Sequence, residues 1–188
     1  FYINLIVFFL FSLIWVSLLG FGSPLLLISG VLFGKWVGTF ISVVSISIGA
    51  VILYSIANFF FKDIVHDIFE KRFSKYIYLF KKNEFNYFLA FRLAGGLGIP
   101  FGLQNILPVI FNIKKLNYFL ASFLGFIPMF FIWNTIGSGI NEYLKIADNF
   151  SFIDFIQNRK IYLPIFLFLI FLLISVIIKK KIFDDEKL

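Results

Sequence analysis

Apolar residues run almost unbroken from about 3 to 61, from 86 to 111, from 117 to 139 and from 162 to 178, with charged loops at 62–85 and 140–161 between them. A helical membrane crossing needs about 20 apolar residues. By that measure 3–19, 38–61, 117–139 and 162–178 predict four crossings, and 20–37 and 86–111 are left over. Both leftovers are rich in glycine and proline. The first reads Gly20-Phe-Gly22-Ser-Pro24-Leu-Leu-Leu-Ile-Ser29-Gly30-Val-Leu-Phe33-Gly34-Lys35-Trp-Val-Gly38. Two half-helices of about eight residues would reach roughly 12 Å into the hydrocarbon and return, which predicts a re-entrant hairpin over 20–37. The second, with Gly95, Gly96, Gly98, Pro100, Gly102 and Pro108, predicts another over 86–111, broken near its middle.

Charge selects among topologies, because cytoplasmic loops are enriched in Lys and Arg. With both leftovers treated as hairpins, one face holds Lys62, Lys71, Arg72, Lys75, Lys81, Lys82, Lys114, Lys115, Lys179, Lys180, Lys181 and Lys187. The other holds only Lys35, Lys145, Arg159 and Lys160, and with Arg92 inside the membrane these are all 17 basic residues. A crossing at 86–111 would instead put Lys114, Lys115 and the tail lysines outside. The expectation is therefore one all-α, polytopic membrane domain over 1–188, with four crossings, both termini cytoplasmic and two hairpins entering from opposite faces. Opposed hairpins suggest an inverted repeat, and Pro24 to Gly49 and Pro100 to Gly125 share one spacing. Residues 62–84 place apolar groups at helical spacing with basic groups opposite, as in an interfacial amphipathic helix or one packed on the bundle. Residues 179–188 form a basic and acidic tail. Residues 3–19 show no basic leader and no small-residue cleavage site, so they read as a retained helix.

Composition agrees: 61% hydrophobic residues, 14% charged and a mean hydropathy of +0.97 suit an integral membrane protein. The 30 Phe read as lipid-facing bulk rather than an aromatic cage. Without cysteine, disulfides and thiolate chemistry are excluded. The one His, His66, lies among Asp63, Asp67 and Glu70 and reads as part of a solvated helix, so neither metal nor cofactor is expected. Ser42, Ser45 and Ser47 have no nearby His, and no base, nucleophile or metal cluster stands at membrane depth, which argues against an enzyme.

The exception to apolar uniformity is Arg92, opening Arg92-Leu-Ala-Gly-Gly-Leu-Gly-Ile-Pro100-Phe-Gly-Leu-Gln-Asn105. A charge at bilayer depth costs from about 2.5 to roughly 10 kcal/mol or more, and marks function. All ten carboxylates, at 63, 67, 70, 84, 142, 148, 154, 184, 185 and 186, lie in loops or the tail. Arg92 must therefore meet hairpin carbonyls, the amides of Gln104 and Asn105, water or an anionic ligand. A planar guanidinium suits a phosphate, and N–H groups near Gly95, Gly96 and Gly98 and the half-helix after Pro100 add positive potential. Gly30, Gly34 and Gly38 form a small-residue face for close packing, within the chain or against a second copy.

Taken in order, the segment Pro24, Ser29-Gly30-Val-Leu-Phe33-Gly34 and Gly38, then Gly49-Ala50 and Tyr54, then Arg92, Pro100, Asn105, Phe119, Gly125 and Pro128, closing at Gly137 or Gly139, resembles the DedA family of the VTT-domain (SNARE-associated Golgi protein) superfamily over about 20–140. The resemblance implies two membrane-embedded hairpins meeting in pseudo-symmetry. It also implies movement of phospholipids or polyprenyl-phosphate carriers between leaflets, as flippase or scramblase, in a bacterial plasma membrane; the headgroup would then travel through a polar groove between the two hairpins. Many bacterial members carry acidic residues in the first hairpin region tied to proton coupling; none stands there in this chain. Gly95-Gly96 and Asn58 stand where the family often has Pro and Arg. The expected partners are membrane lipids with anionic or phosphate-bearing headgroups, with no nucleic acid. Arg92, Gly95, Gly96, Pro100, Gln104 and Asn105 are the expected headgroup site, and Gly22, Pro24, Ser29, Gly30 and Gly34 shape the first hairpin. A gated transporter of a small anion and a membrane-organising protein are the alternatives.

Overall fold

The computed structural model describes the backbone of residues 1–146 and 151–179, with their side chains except at 64–76, 78, 79, 81, 97, 98, 146, 152, 156, 175, 178 and 179. Most of the expected amphipathic face at 62–84, His66 and the tail 180–188 thus lie outside the described residues. Every regular element described is helical: α1 (Tyr2–Ser17), α2 (Gly22–Lys82), α3 (Glu84–Leu93), a 3-10 turn (Gly95–Gly98), α4 (Phe101–Ile106), a second 3-10 turn (Leu107–Phe111), α5 (Lys115–Ile146), α6 (Phe152–Gln157) and α7 (Arg159–Lys179). Gly22–Asp63 and Lys115–Lys145 are long and apolar enough to cross a membrane.

α2 is two helices joined at a reversal. Ser29 Oγ lies 2.9 Å from Ser42 Oγ and donates to the Gly38 carbonyl at 3.0 Å, whereas thirteen residues of unbroken helix would separate 29 and 42 by about 20 Å. The fold-back falls at Gly34, with φ 75° and ψ 176°, a region that only glycine occupies without strain. A Cβ there would touch nothing within 4 Å. Gly34→Ala is accordingly expected to cost about 1–3 kcal/mol through backbone strain alone, read as a lower unfolding midpoint in detergent; an unchanged midpoint would contradict the strain argument.

A second reversal precedes it. The Phe33 ring packs edge-on against Phe8 at 5.5 Å and Phe1 at 6.2 Å, so α1 runs antiparallel to the arm 22–33, turning at 18–21 where Leu19 takes φ 68°. This corrects the predicted division. The first helical hairpin is built from residues 2–33 rather than from 20–37 alone, and the turn expected inside 20–37 lies near its end, at Gly34. It also places Phe1 at the Lys35 end of the bundle, whereas α7 runs back along α5, with Trp133 against Phe168 at 5.6 Å. The two ends of the described chain therefore point to opposite ends of the bundle, not to one face as the charge count suggested. Length and apolarity let 3–19 be read as a separate segment and carry no sign of its pairing with 22–33.

The second half repeats the first at a constant shift of 76 residues, seen from Pro24 to Pro100 and from Gly49 to Gly125. α3 leads through the tip 94–100, where Gly95 and Gly96 have φ 62° and 66°, into α4, which is tied back to it by the Arg92–Asn105 hydrogen bond; Asn112 then turns left-handed, with φ 51°, before α5. The contacts repeat as well. A Cβ on Gly49 would lie 3.1 Å from Val16 Cβ, and one on Gly125 would collide with Arg92 Cβ. The long arm 35–82 and α5 lie antiparallel, because Tyr54 donates to the Ile113 carbonyl at 2.7 Å while Gly38 packs on Asn134. The two helical hairpins consequently start from opposite ends of the bundle and touch at their tips: Cβ atoms on Gly22 and Gly102 would lie 3.6 Å from the Phe101 ring and 3.2 Å from the Leu19 carbonyl. Counted along the long helices, the contact at Gly49 is about 21 Å from Lys35 and that at Gly125 about 15 Å from Lys115.

The small-residue face is used inside the chain. A Cβ on Gly30 would lie 2.8 Å from Asn134 Cα, one on Gly38 would lie 2.9 Å from the Ser29 carbonyl, and one on Gly137 would lie 3.0 Å from Gly30 Cα. The arm 22–33 is thereby seated backbone to backbone on α5 through Gly30, with Gly38 packed against Ser29 and Asn134, whereas a Cβ on Gly34 between them would meet nothing within 4 Å.

Candidate functional site

Arg92 ends α3 just before the glycine tip and is 3% exposed. Its Nε donates to Ser122 Oγ at 3.1 Å, and its Nη2 donates to both Asn105 Oδ1 and the Tyr118 hydroxyl at 2.8 Å. Tyr118 in turn donates to the Asn105 carbonyl at 3.1 Å. All three partners of the guanidinium are neutral side chains. Its carbon sits 4.7 Å from the Phe88 and Phe126 ring centroids and 5.3 Å from that of Tyr118, close enough for cation–π attraction. Tyr54 stacks on the outer side of Tyr118 at 4.5 Å.

α3, α4 and α5 each supply part of this shell. Asn105 lies on α4, brought opposite Arg92 by the tip, while Tyr118, Ser122 and Phe126 are four residues apart on α5 and share one face. Gly125 on the same helix lets the Arg92 stem lie against the α5 backbone. The reading of Phe as lipid-facing bulk holds for Phe40, Phe59 and Phe60, which are exposed, and fails at Phe88 and Phe126, which are buried and enclose the guanidinium.

The shell leaves donors over. Arg92 Nη1 and Asn105 Nδ2 are buried and have no hydrogen-bond partner among the described residues. A guanidinium nitrogen and an amide nitrogen each carry two N–H bonds. A buried donor without an acceptor costs about 1–3 kcal/mol, and more when charged. The chemistry that satisfies both is an oxygen-rich acceptor, and an anion does so best beside a cation.

The other expected site residues divide. Asn105 joins Arg92. Gln104 instead donates to the tip carbonyls, 3.2 Å to Gly95 and 2.5 Å to Ile99, with Gly96 packed against its amide. The amide of Gln104 thus takes the hairpin carbonyls, one of the alternatives open to Arg92, and Arg92 meets another, the Asn105 amide. Pro100 begins α4 and is exposed. Gly22 meets the opposite tip and Pro24 is exposed. Ser29 and Gly30 do not approach Arg92; they build a second buried cluster, in which the single Ser29 hydroxyl hydrogen is shared between the Gly38 carbonyl and Asn134 Oδ1 and Asn134 Nδ2 donates to the Phe130 carbonyl at 2.8 Å. Sequence reasoning missed Tyr118, Ser122 and Asn134. Polar residues inside the apolar run 117–139 were the available signal, since such groups turn toward the bundle interior.

The two clusters are counterparts under the same shift, which carries Ser29 to Asn105, Ser42 to Tyr118 and Val16 to Arg92. Only the second half holds a charge at this place. The two ends of the bundle hold cavities. One, of about 420 Å³, is lined by Lys82, Glu84, Asn112, Lys114 and Asn117, and there Glu84 accepts from the Lys114 backbone N–H at 3.1 Å and from the Asn117 amide. The other, of about 400 Å³, lies beside Lys35 and the end of α5. From Asn117 to Ser138 the α5 axis covers about 31 Å, the thickness of a hydrocarbon core.

No solved structure matches the chain. The VTT domain matches residues 16–139, from the last turn of α1 to the middle of the α5 end that Lys160 covers. This is about two thirds of the chain and contains both hairpin tips, both buried polar clusters, the long arm 35–82 and α5 up to Gly139. The chain therefore belongs to the VTT domain family, the membrane-associated DedA and SNARE-associated Golgi protein superfamily.

Proposed function

We propose that the protein translocates phosphate-bearing lipid headgroups, of a phospholipid or a polyprenyl-phosphate carrier, between membrane leaflets. The carrying observation is the unpartnered pair Arg92 Nη1 and Asn105 Nδ2, buried about 15 Å along α5 from its Lys115 end. In this reading α1 with 22–33, and α3 with 84–111, are re-entrant hairpins from opposite faces, and the path runs between their tips. The headgroup crosses on Arg92 while its acyl tails stay in lipid. A buried cation amid neutral partners offers a phosphate an attraction that bulk hydrocarbon lacks.

A polar groove between the two hairpins is the path expected from the sequence, and the burial of Arg92 supports a groove that is gated rather than open. The hinge is the tip. Gly95 and Gly96 carry left-handed backbone and Gln104 clasps the two tip carbonyls, so release of that clasp frees α4 and Asn105 from Arg92. Gating also favours the second reading, a transporter of a small anion through the same site, which counterflow of one water-soluble substrate would reveal. The test of translocation is reconstitution into vesicles carrying a headgroup-labelled phospholipid, followed by a membrane-impermeant quencher. Protein-containing vesicles are expected to expose inner-leaflet label faster than protein-free ones; equal rates reject the reading.

A further inference from the structure

We propose that the cavity at the Lys35 end is a second anion site, built for the phosphate group of an anionic lipid headgroup waiting at that face. The sequence allots this face only four cations, and three of them, Lys35, Arg159 and Lys160, converge on this one cavity from α2 and α7. The single carboxylate lining it, Glu142, is paired with Lys160. Lys35 and Arg159 make no ion pair among the described residues. Ser138 and Asn158 line the same space, and Asn158 Oδ1 accepts from the Lys160 backbone N–H at 2.9 Å.

A guanidinium fork beside an ammonium and a hydroxyl is a phosphate-recognising set. Leu163 and Pro164 of α7 complete the wall and give the first acyl carbons of a lipid an apolar surface. The site is separate from the Arg92 shell: α5 carries Ser122 in one and Ser138 in the other, about 24 Å apart along the axis. Its role as a loading point rests on the translocation reading, whereas its binding chemistry does not.

The test is calorimetric titration of the full chain in phosphatidylcholine nanodiscs at low salt. One arm uses short-chain phosphatidylglycerol and the other inorganic phosphate. Wild type is expected to bind, and the double variant Lys35→Ala/Arg159→Ala to bind about thirty-fold more weakly, at roughly 1 kcal/mol per removed cation, with an unchanged melting temperature. Arg92→Gln is expected to leave this affinity intact even if it abolishes exchange. Phosphatidylglycerol binding that inorganic phosphate does not displace assigns a lipid source, and displacement assigns recognition of the phosphate group alone. Equal affinity in wild type and the double variant, or no binding in either arm, overturns the site. Failure of leaflet exchange with binding retained would remove only the loading role.

Discussion

Arg92→Gln is expected to slow headgroup exchange in reconstituted vesicles at least about tenfold while the bundle stays folded. The magnitude follows from the interaction removed. A hydrogen bond to a charged group contributes about 1.5–3 kcal/mol, and 1.4 kcal/mol is a factor of ten in rate. Gln retains an amide donor for Asn105 and Ser122, so the polar shell stays partly satisfied. Arg92→Ala removes all three hydrogen bonds seen from the guanidinium and is expected to lose about 2–4 kcal/mol of stability besides. Arg92→Lys keeps the charge but not the planar fork, and an intermediate rate is expected. Exchange is read by quenching of labelled lipid and stability by unfolding in detergent. If Arg92→Gln exchanges lipid at the wild-type rate while melting earlier, the residue is a structural clamp on α4 and α5 and nothing more.

Gly30→Ala, within an apolar helix, is expected to destabilise by about 2 kcal/mol or more. Helix propensity taken alone argues the reverse, since Ala exceeds Gly by about 1 kcal/mol in a helix interior. Packing decides the sign. The added Cβ would fall 2.8 Å from Asn134 Cα and closer still to the Asn134 carbonyl, and helix backbone cannot yield as a flexible side chain can. Overpacking costs about 1–3 kcal/mol where side chains can shift, and more where two backbones must separate. Separation would also break the Ser29 bond to Asn134. Gly137→Ala meets the Leu27 carbonyl and Gly30 Cα from the other side and should behave alike. Gly22→Ala is the control: its Cβ would sit in ordinary contact, 3.6 Å from the Phe101 ring, and little change is expected. Equal unfolding midpoints for Gly30→Ala and Gly22→Ala would refute the backbone-seating account.

The Gly30 and Arg92 cases mark how far local reading reached. Arg92, Asn105 and the tip glycines were legible, because a charge and a run of glycines contradict their apolar setting whatever the fold. Ser29 and Gly30 were legible as special but not in role, because small residues announce close approach without naming what approaches. Tyr118, Ser122 and Asn134 lie on an otherwise ordinary apolar helix, and their importance comes from which face α5 turns inward. The first hairpin was misdrawn for a related reason. Length and apolarity decide whether a segment suits lipid, and α1 passes, but they carry no information on its partner.

By itself the sequence determined the class and the anomaly: helices in a membrane, two breaks rich in glycine and proline, and one cation at depth without an acidic neighbour nearby in the chain. Hydropathy and charge are properties of residues one at a time, so they survive without a fold. Only the tertiary structure decided that α1 folds back on 22–33, that the two hairpins meet tip to tip, and that the guanidinium is held by Asn105, Tyr118 and Ser122 within three aromatic rings. Those are relations between residues up to 105 positions apart, as for Ser29 and Asn134. Such pairs are chosen by the packing of helix faces, where a backbone approach accepts glycine and excludes a single added carbon.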